Sequence, residues 1–411
     1  MKTIFYTFAL AIVFYGCNEA VSNGKTVHIE DSLQYYPPTP RQLDKQEFRH
    51  YVRVLSSFFD SMLVNKGFNG SILVAKEGAV LYERYVGYTD LRKKDSLTAV
   101  TPLHIASTGK TLTAMALLRL VQDNKLSLDD SLQKFFPGFP YEGVTVRTLL
   151  SHRSGLPNYL YFMEEEKKEK RYVTNNDVLE FLMTKKPNRS FRPGTRFAYS
   201  NTNFVLLALI IEKITGKTFP AYMKENVFDP LQMRSTYVFS LADSLTASPS
   251  FKANGGFWQY DMMEVTYGDK NIYSTVQDLL KWDQALYTEQ FLKKEYLDLA
   301  FTPNSNERPS IHNYGLGWRM LNIPNGKKVI YHFGRWHGFN AAFARLIDEK
   351  VTIIILGNKY NSRIYTTANK AYDLFGDYHP GKHPRERDTE ESDENDSITT
   401  SGQATPATRK S

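Results

Sequence analysis

Apolar positions change their period twice along this chain. Phe48, Val52, Leu55, Phe59 and Met62 fall at helical spacing and predict one amphipathic helix. Gly70 to Lys76 and Val80 to Tyr88 are β-rich runs, and Glu77-Gly78-Ala79 between them predicts a hairpin. From about Pro102 to Ala300 the pattern is mostly helix and loop. Helices are predicted from Thr111 to Leu118, around Asn176 to Met183, from Leu206 to Ile214, and around Val276 to Tyr287. Strand-like runs return at Val329 to Phe333, Phe339 to Ile347 and Val351 to Leu356, and Arg363 to Phe375 closes as a helix. No internal repeat interrupts this order. Strands at both ends with helices between them predict a discontinuous α/β (α+β) fold. The two ends supply one antiparallel sheet flanked by the terminal helices. A large, mostly helical insertion, about residues 102–310, packs against it and leaves a ligand cleft between the two parts.

Composition bounds this picture. With 411 residues, 42% hydrophobic and 14% aromatic, the chain can build a large core in one to three domains. The net charge of +7 comes with no Lys/Arg block interleaved with aromatics, so no nucleic-acid partner is expected. Lys2 ahead of the short apolar run Ile4 to Phe14 reads as an export signal over residues 1–16. Tyr15-Gly16-Cys17 then resembles a bacterial lipoprotein processing site. Cys17 is the single cysteine, which excludes an intramolecular disulfide and makes it the expected lipidation residue and membrane anchor. The alternative is ordinary cleavage, with a periplasmic or secreted product. Residues 17–45, with Pro37, Pro38 and Pro40, read as a tether. Residues 46–378 read as the folded domain, and 379–411, poor in apolar residues, as a disordered tail.

Chemistry concentrates in three stretches. Ser107-Thr108-Gly109-Lys110 opens a helical run, so hydroxyl and amine share one face of a first turn whose free N–H groups favour negative charge. That is a kit for a serine nucleophile, or simply an N-cap. Tyr199 and Asn201 follow the Pro193-Gly194 turn and precede a long apolar helix. A phenol can move a proton and an amide can bind donors and acceptors; the plainer reading is ring packing and capping. His332-Phe333-Gly334-Arg335 ends a β-rich run, where a glycine lets a substrate backbone approach. His332 either bonds substrate or is a satisfied strand histidine. His152 reads as the hydrogen-bonding brace of the turn Ser154-Gly155-Leu156-Pro157. The nine histidines form no metal-hydrolase signature, so no metal or cofactor is expected. No Gly-x-Ser-x-Gly elbow and no phosphate loop is present.

Taken in order, these stretches resemble the serine β-lactamase and penicillin-binding-protein superfamily, in its class C-like branch, over roughly Gly70 to Asn358. Ser107-x-x-Lys110, Tyr199-Ser200-Asn201 and His332-Phe333-Gly334 match the three motifs. Phe191-Arg192-Pro193-Gly194 and Tyr314-Gly315-Leu316-Gly317-Trp318 are supporting matches. The resemblance implies a serine hydrolase acting through an acyl-enzyme on a small peptide, amide or ester. The types in view are a D-Ala carboxypeptidase, a D-aminopeptidase or an esterase; the alternative is a non-catalytic wall-peptide sensor on the same fold. It implies Ser107 as nucleophile, Lys110 or Tyr199 as base, and Asn201, His332 and Gly334 at the substrate. The backbone N–H groups of Ser107 and Arg335 are implied as the oxyanion hole. Two departures stand out. The third motif lacks its lysine. Gly268-Asp269-Lys270-Asn271 replaces a glycine-rich stretch, and its side chains are expected to narrow the cleft.

Overall fold

The structure is a computed structural model that describes residues 37–169 and 171–379. The predicted export segment, Cys17, much of the tether and the tail beyond its first residue lie outside the described residues.

A seven-stranded antiparallel sheet takes its strands from the two ends of the chain. The strands are β1 (Gly70–Lys76), β2 (Ala79–Val86), β3 (His312–Tyr314), β4 (Arg319–Asn322), β5 (Lys328–Trp336), β6 (Phe339–Leu346) and β7 (Val351–Gly357), in the order β3-β4-β5-β6-β7-β1-β2. The hairpin β1–β2 joins the carboxy-terminal strands through β1 against β7, from Gly70 opposite Gly357 to Lys76 opposite Val351. Alternation explains why these runs are apolar throughout. Ile72, Val74, Ile353 and Ile355 meet the terminal helices, while Leu73, Ala75, Ile354 and Leu356 face the helical insertion. The terminal helices are α1 (Lys45–Met62) and α5 (Arg363–Ala371). Leu55 and Phe59 of α1 and Ile364 and Ala368 of α5 are buried in that layer, whereas Phe48 is exposed.

Several boundaries differ from the expectation. The second strand ends at Val86, not Tyr88, because Gly87 takes φ 83°. A Cβ there would lie 1.9 Å from Asn69 Oδ1, and the Asn69 side chain instead bonds the Tyr88 N–H at 2.8 Å. The short strands β3 and β4 were not expected. Nor was a three-stranded sheet within the insertion, formed by Leu103–His104, Ile272–Ser274 and Tyr237–Val238. That small sheet matters for the site. It ties the segment just before Ser107 to the segment just after Asp269.

On the other face of the main sheet lie α2 (Gly109–Gln122), α3 (Asn201–Thr215) and α4 (Val276–Ala285). Every residue of α3 from Asn201 to Ile211 is buried, and so is every residue of α2 from Gly109 to Leu118. A helix buried all round carries no amphipathic stripe, and its polar residues must find partners inside. Among the described residues, no helix is long and apolar enough to cross a membrane.

Candidate active site

Ser107 sits in a tight turn, Ala106–Thr108, that leads straight into α2. Ala106 takes φ 48°, a left-handed conformation that costs a non-glycine residue of order 1 kcal/mol. Neighbours hold it there. The Ala106 N–H donates to His104 Nδ1 at 3.0 Å, the Ile105 N–H to the Ile272 carbonyl at 2.9 Å, and Thr108 Oγ1 to the His332 carbonyl at 3.1 Å. His104 can accept at Nδ1 because its other nitrogen lies 2.8 Å from Asn271 Oδ1, and burial lowers its pKa to about 4. The turn is thus held between the small sheet and β5.

Gly334 on β5 is what lets the turn come so close. A Cβ at that position would lie 2.6 Å from the Ile105 carbonyl oxygen, 2.7 Å from Ser107 N and 2.9 Å from Thr108 N. All three are backbone atoms, so nothing can swing aside. Gly334→Ala is expected to displace Ser107 and to lower its reaction rate with a fluorophosphonate at least about 100-fold, the typical cost of a 1 Å misplacement. Labelling kinetics beside a thermal melt would check this; an unchanged rate would mean the turn moves without consequence.

Lys110 points at Ser107 from one turn along α2. It is fully buried, and its Nζ lies 2.9 Å from Ser107 Oγ, 2.8 Å from Asn201 Oδ1 and 2.8 Å from the Asp269 carbonyl oxygen. Two readings of the proton satisfy this geometry. An ammonium donates three times. A neutral amine donates twice, to Asn201 and Asp269, and offers its lone pair to the Ser107 hydroxyl. Asn201 reaches Lys110 because Ser200, in extended conformation, caps α3 and starts the helix at Asn201.

Tyr199 stands just before that cap, half-buried. Its ring centre lies 5.0 Å from Lys110 Nζ and 5.1 Å from the Arg319 guanidinium, basic groups on two separate elements. His152 braces the stretch. Its ring centre is 4.3 Å from that of Tyr199, its carbonyl accepts from the Ala198 N–H at 2.9 Å, and its Nδ1 accepts from the Ser200 N–H at 3.2 Å. Thus the His152 ring braces the Tyr199 loop directly and reaches the Ser154–Pro157 turn through Asn203, whose Oδ1 accepts from Ser154 Oγ at 2.6 Å. Its imidazole is held neutral: burial first, then the charges of Lys110 and Arg319, push its pKa well below 6.5.

His332 is also wholly buried. Its Nδ1 lies 2.7 Å from the Phe333 carbonyl, so that nitrogen carries the proton and Nε2 accepts from the Tyr314 hydroxyl at 3.2 Å. Burial, Arg319 and Lys110 depress its pKa in the same way. Arg335 directs its guanidinium over the Tyr360 ring, 4.7 Å from the centre. Its backbone lies on the part of β5 past Tyr331, where pairing with β4 has stopped.

A family profile described as Beta-lactamase matches residues 59–376. Penicillin-binding protein 4* of Bacillus subtilis (strain 168) is 32% identical over 343 residues, covering 79% of this chain and 75% of that protein. The chain belongs to the beta-lactamase family. It is a serine hydrolase of that family. A D-aminopeptidase of Brucella anthropi is 27% identical over 71% of this chain, which spans only 56% of that longer protein. Among solved structures, the octameric penicillin-binding protein homologue from Pyrococcus abyssi superimposes with a TM-score of 0.69 at 26% identity, over 80% of this chain and 78% of that one.

Two features of this family member were not legible as site residues, and one stretch lies elsewhere than expected. The Asp269 carbonyl, which holds Lys110, is a backbone atom and leaves no mark in a sequence. Arg319 directly follows the Tyr314-Gly315-Leu316-Gly317-Trp318 match, a position that could have drawn notice. Lys270 and Asp269 do not face the cleft as expected; both are buried, at 4% and 0% exposure, and bound to Tyr159. The group Asp261, Glu264 and His337 gathers nearby, where Glu264 already pairs with His337 at 2.7 Å and accepts from the Trp336 indole.

Proposed function

We propose that this chain hydrolyses a small peptide, amide or ester through an acyl-enzyme on Ser107. The observation that carries the reading is the Lys110 amine, 2.9 Å from the Ser107 hydroxyl and fixed by Asn201 and the Asp269 carbonyl. Ser107 Oγ attacks the substrate carbonyl carbon while its proton passes to the Lys110 nitrogen. The carbonyl oxygen becomes an oxyanion facing the backbone N–H groups of Ser107 and Arg335. The close approach at Gly334 supports that pairing, because it sets the strand against Ser107 N. One such donor typically contributes about 3–4 kcal/mol to the transition state.

Collapse of the tetrahedral intermediate breaks the carbonyl's bond to the leaving nitrogen or oxygen. The leaving atom takes a proton delivered by Tyr199, which is recharged from Lys110. Its ring, beside two cations, stands where a phenol loses and regains a proton most easily. Water, giving a proton to Lys110, then attacks the ester carbonyl; the acyl–Oγ bond breaks, the acid leaves, and Lys110 returns the proton to Ser107 Oγ. Asn201 and the part of β5 past Tyr331, where pairing with β4 has stopped, orient the substrate backbone, as a strand edge accepts an added strand.

His332 is neutral and paired, so it supplies no charge for a substrate carboxylate. Arg319, on the neighbouring strand beside Tyr199, supplies that charge instead. The preferred substrate therefore carries a free carboxylate. The amino-terminal sequence, with its lone Cys17, supports action at the cell envelope as an anchored lipoprotein.

Intact-mass spectrometry tests this reading. The purified protein would meet D-amino-acid peptides with a free or amidated carboxyl end, short-chain esters and β-lactams. The expected result is a covalent adduct on the Ser107 peptide, formed faster from the free carboxylates than from their amides. No adduct with any member of the panel would overturn the proposal.

A further inference from the structure

Lys270 is buried within the Gly268-to-Asn271 stretch that departs from the family's glycine-rich pattern. Its ammonium lies 2.6 Å from the Tyr159 hydroxyl, contacts Thr266 Oγ1, and stands 3.6 Å from Asp269 Oδ2. It also sits 4.6 Å above the centre of the Trp336 ring. Tyr159 in turn donates its hydroxyl hydrogen to Asp269 Oδ2 at 2.8 Å. Burial and the Asp269 carboxylate push the phenol's pKa well above 10, so it stays a donor. Asp269 Oδ1 has no hydrogen-bond partner among the described residues. The buried carboxylate is therefore compensated by Lys270 and Tyr159 together.

This cluster joins two parts of the reaction centre. Asp269 turns its side chain to Lys270 and Tyr159 and its carbonyl to Lys110, at 2.8 Å. Trp336 directly follows Arg335 at the end of β5. One ammonium thus bears on the segment that holds Lys110 and on the strand that carries the oxyanion-hole residue. A cation over an indole face and a charged pair away from water are both stronger than at a surface, and both are directional.

We propose that Lys270 is a positioning residue for acylation. Through Asp269 it sets the carbonyl that holds Lys110 against Ser107, and through Trp336 it sets the end of β5. The inference rests on the Ser107 acyl-enzyme reading and adds to it a residue that touches neither substrate nor nucleophile. Such a residue should govern the rate of the chemical step, with little effect on binding of the reagent.

The test is the kinetics of labelling by a fluorophosphonate, resolved into the maximal rate and the half-saturating concentration. Wild-type labelling establishes the Ser107 reading first; a wild type that does not label would sink that reading, not this one. Lys270→Met is expected to lower the maximal rate about 10–100-fold, with the half-saturating concentration within about twofold. Tyr159→Phe keeps the ring and removes only the hydroxyl, so it covers the case in which the first variant does not fold. It should lower the rate in the same sense, by about 3–10-fold. Thr352→Val is the control, because it removes a buried hydroxyl that bonds Asp283 at 2.5 Å elsewhere on the sheet. It should lower the melting temperature and leave the rate unchanged. Wild-type rates in both Tyr159→Phe and any folded Lys270→Met overturn the proposal. So does a Thr352→Val rate that falls as far as that of Tyr159→Phe at equal loss of melting temperature.

Discussion

Ser107→Ala is expected to abolish covalent labelling by a fluorescent penicillin or a fluorophosphonate, and to lower any measured turnover by at least about 10⁴-fold. Loss of a serine nucleophile removes the covalent path altogether, and what persists comes from binding and oxyanion stabilisation alone. The fold should survive. Lys110 keeps its hydrogen bonds to Asn201 Oδ1 and the Asp269 carbonyl, both at 2.8 Å. The lost contact should change stability by no more than about 1–2 kcal/mol. Intact mass and a thermal melt on the same sample separate the two effects. An adduct on the variant would remove Ser107 from its assigned role.

The second large effect is acid lability. His104, His152 and His332 are fully buried, and burial is the leading cause of the low pKa of each. His104 falls to about 4, and the other two lie well below 6.5. Unfolding returns all three to an ordinary imidazole that binds a proton below about pH 6.5. The unfolded chain therefore holds more protons than the folded one at mildly acid pH, and stability rises with pH through that range. It is fully present above about pH 7 and is lost as the pH falls; for His104 the loss continues down to its folded value. At pH 5.5 each imidazole removes on the order of 1 kcal/mol, so three remove a few kcal/mol relative to pH 7.5. That should lower the melting temperature by roughly 5–10 °C. Melts at the two values, at constant ionic strength, would decide it. Equal melting temperatures would mean that these imidazoles titrate alike in both states.

These three histidines show how unevenly the site can be read from a sequence. His152 and His332 were visible as residues beside suggestive motifs, and His104 carried no signal at all. Their shared property, a depressed pKa, comes from burial in all three; at His152 and His332 the charges of Lys110 and Arg319, which approach from separate elements, add to it. No spacing along the chain encodes that convergence. The position of Lys270 makes the same point with opposite sign. A lysine in a loop is ordinarily solvated, and here the ring of Trp336 and the hydroxyl of Tyr159 replace water.

The main sheet was more open to reading. Its apolar runs at Gly70 to Lys76 and Val351 to Leu356 are strands buried on two faces, and period two sorts Ile353 and Ile355 from Ile354 and Leu356. Local steric preference and hydrophobic pattern act within one segment, so the sequence by itself determined the long strands, the longer helices and the order of the motifs. Tertiary structure alone decided the rest. The strands His312–Tyr314 and Arg319–Asn322 are too short to stand without a partner, and Gly334 acquires its meaning only when the Ser107 turn lies against it. The third hold on Lys110 is a carbonyl oxygen that every residue possesses; the fold, by threading residues 268–271 past α2, chose which one.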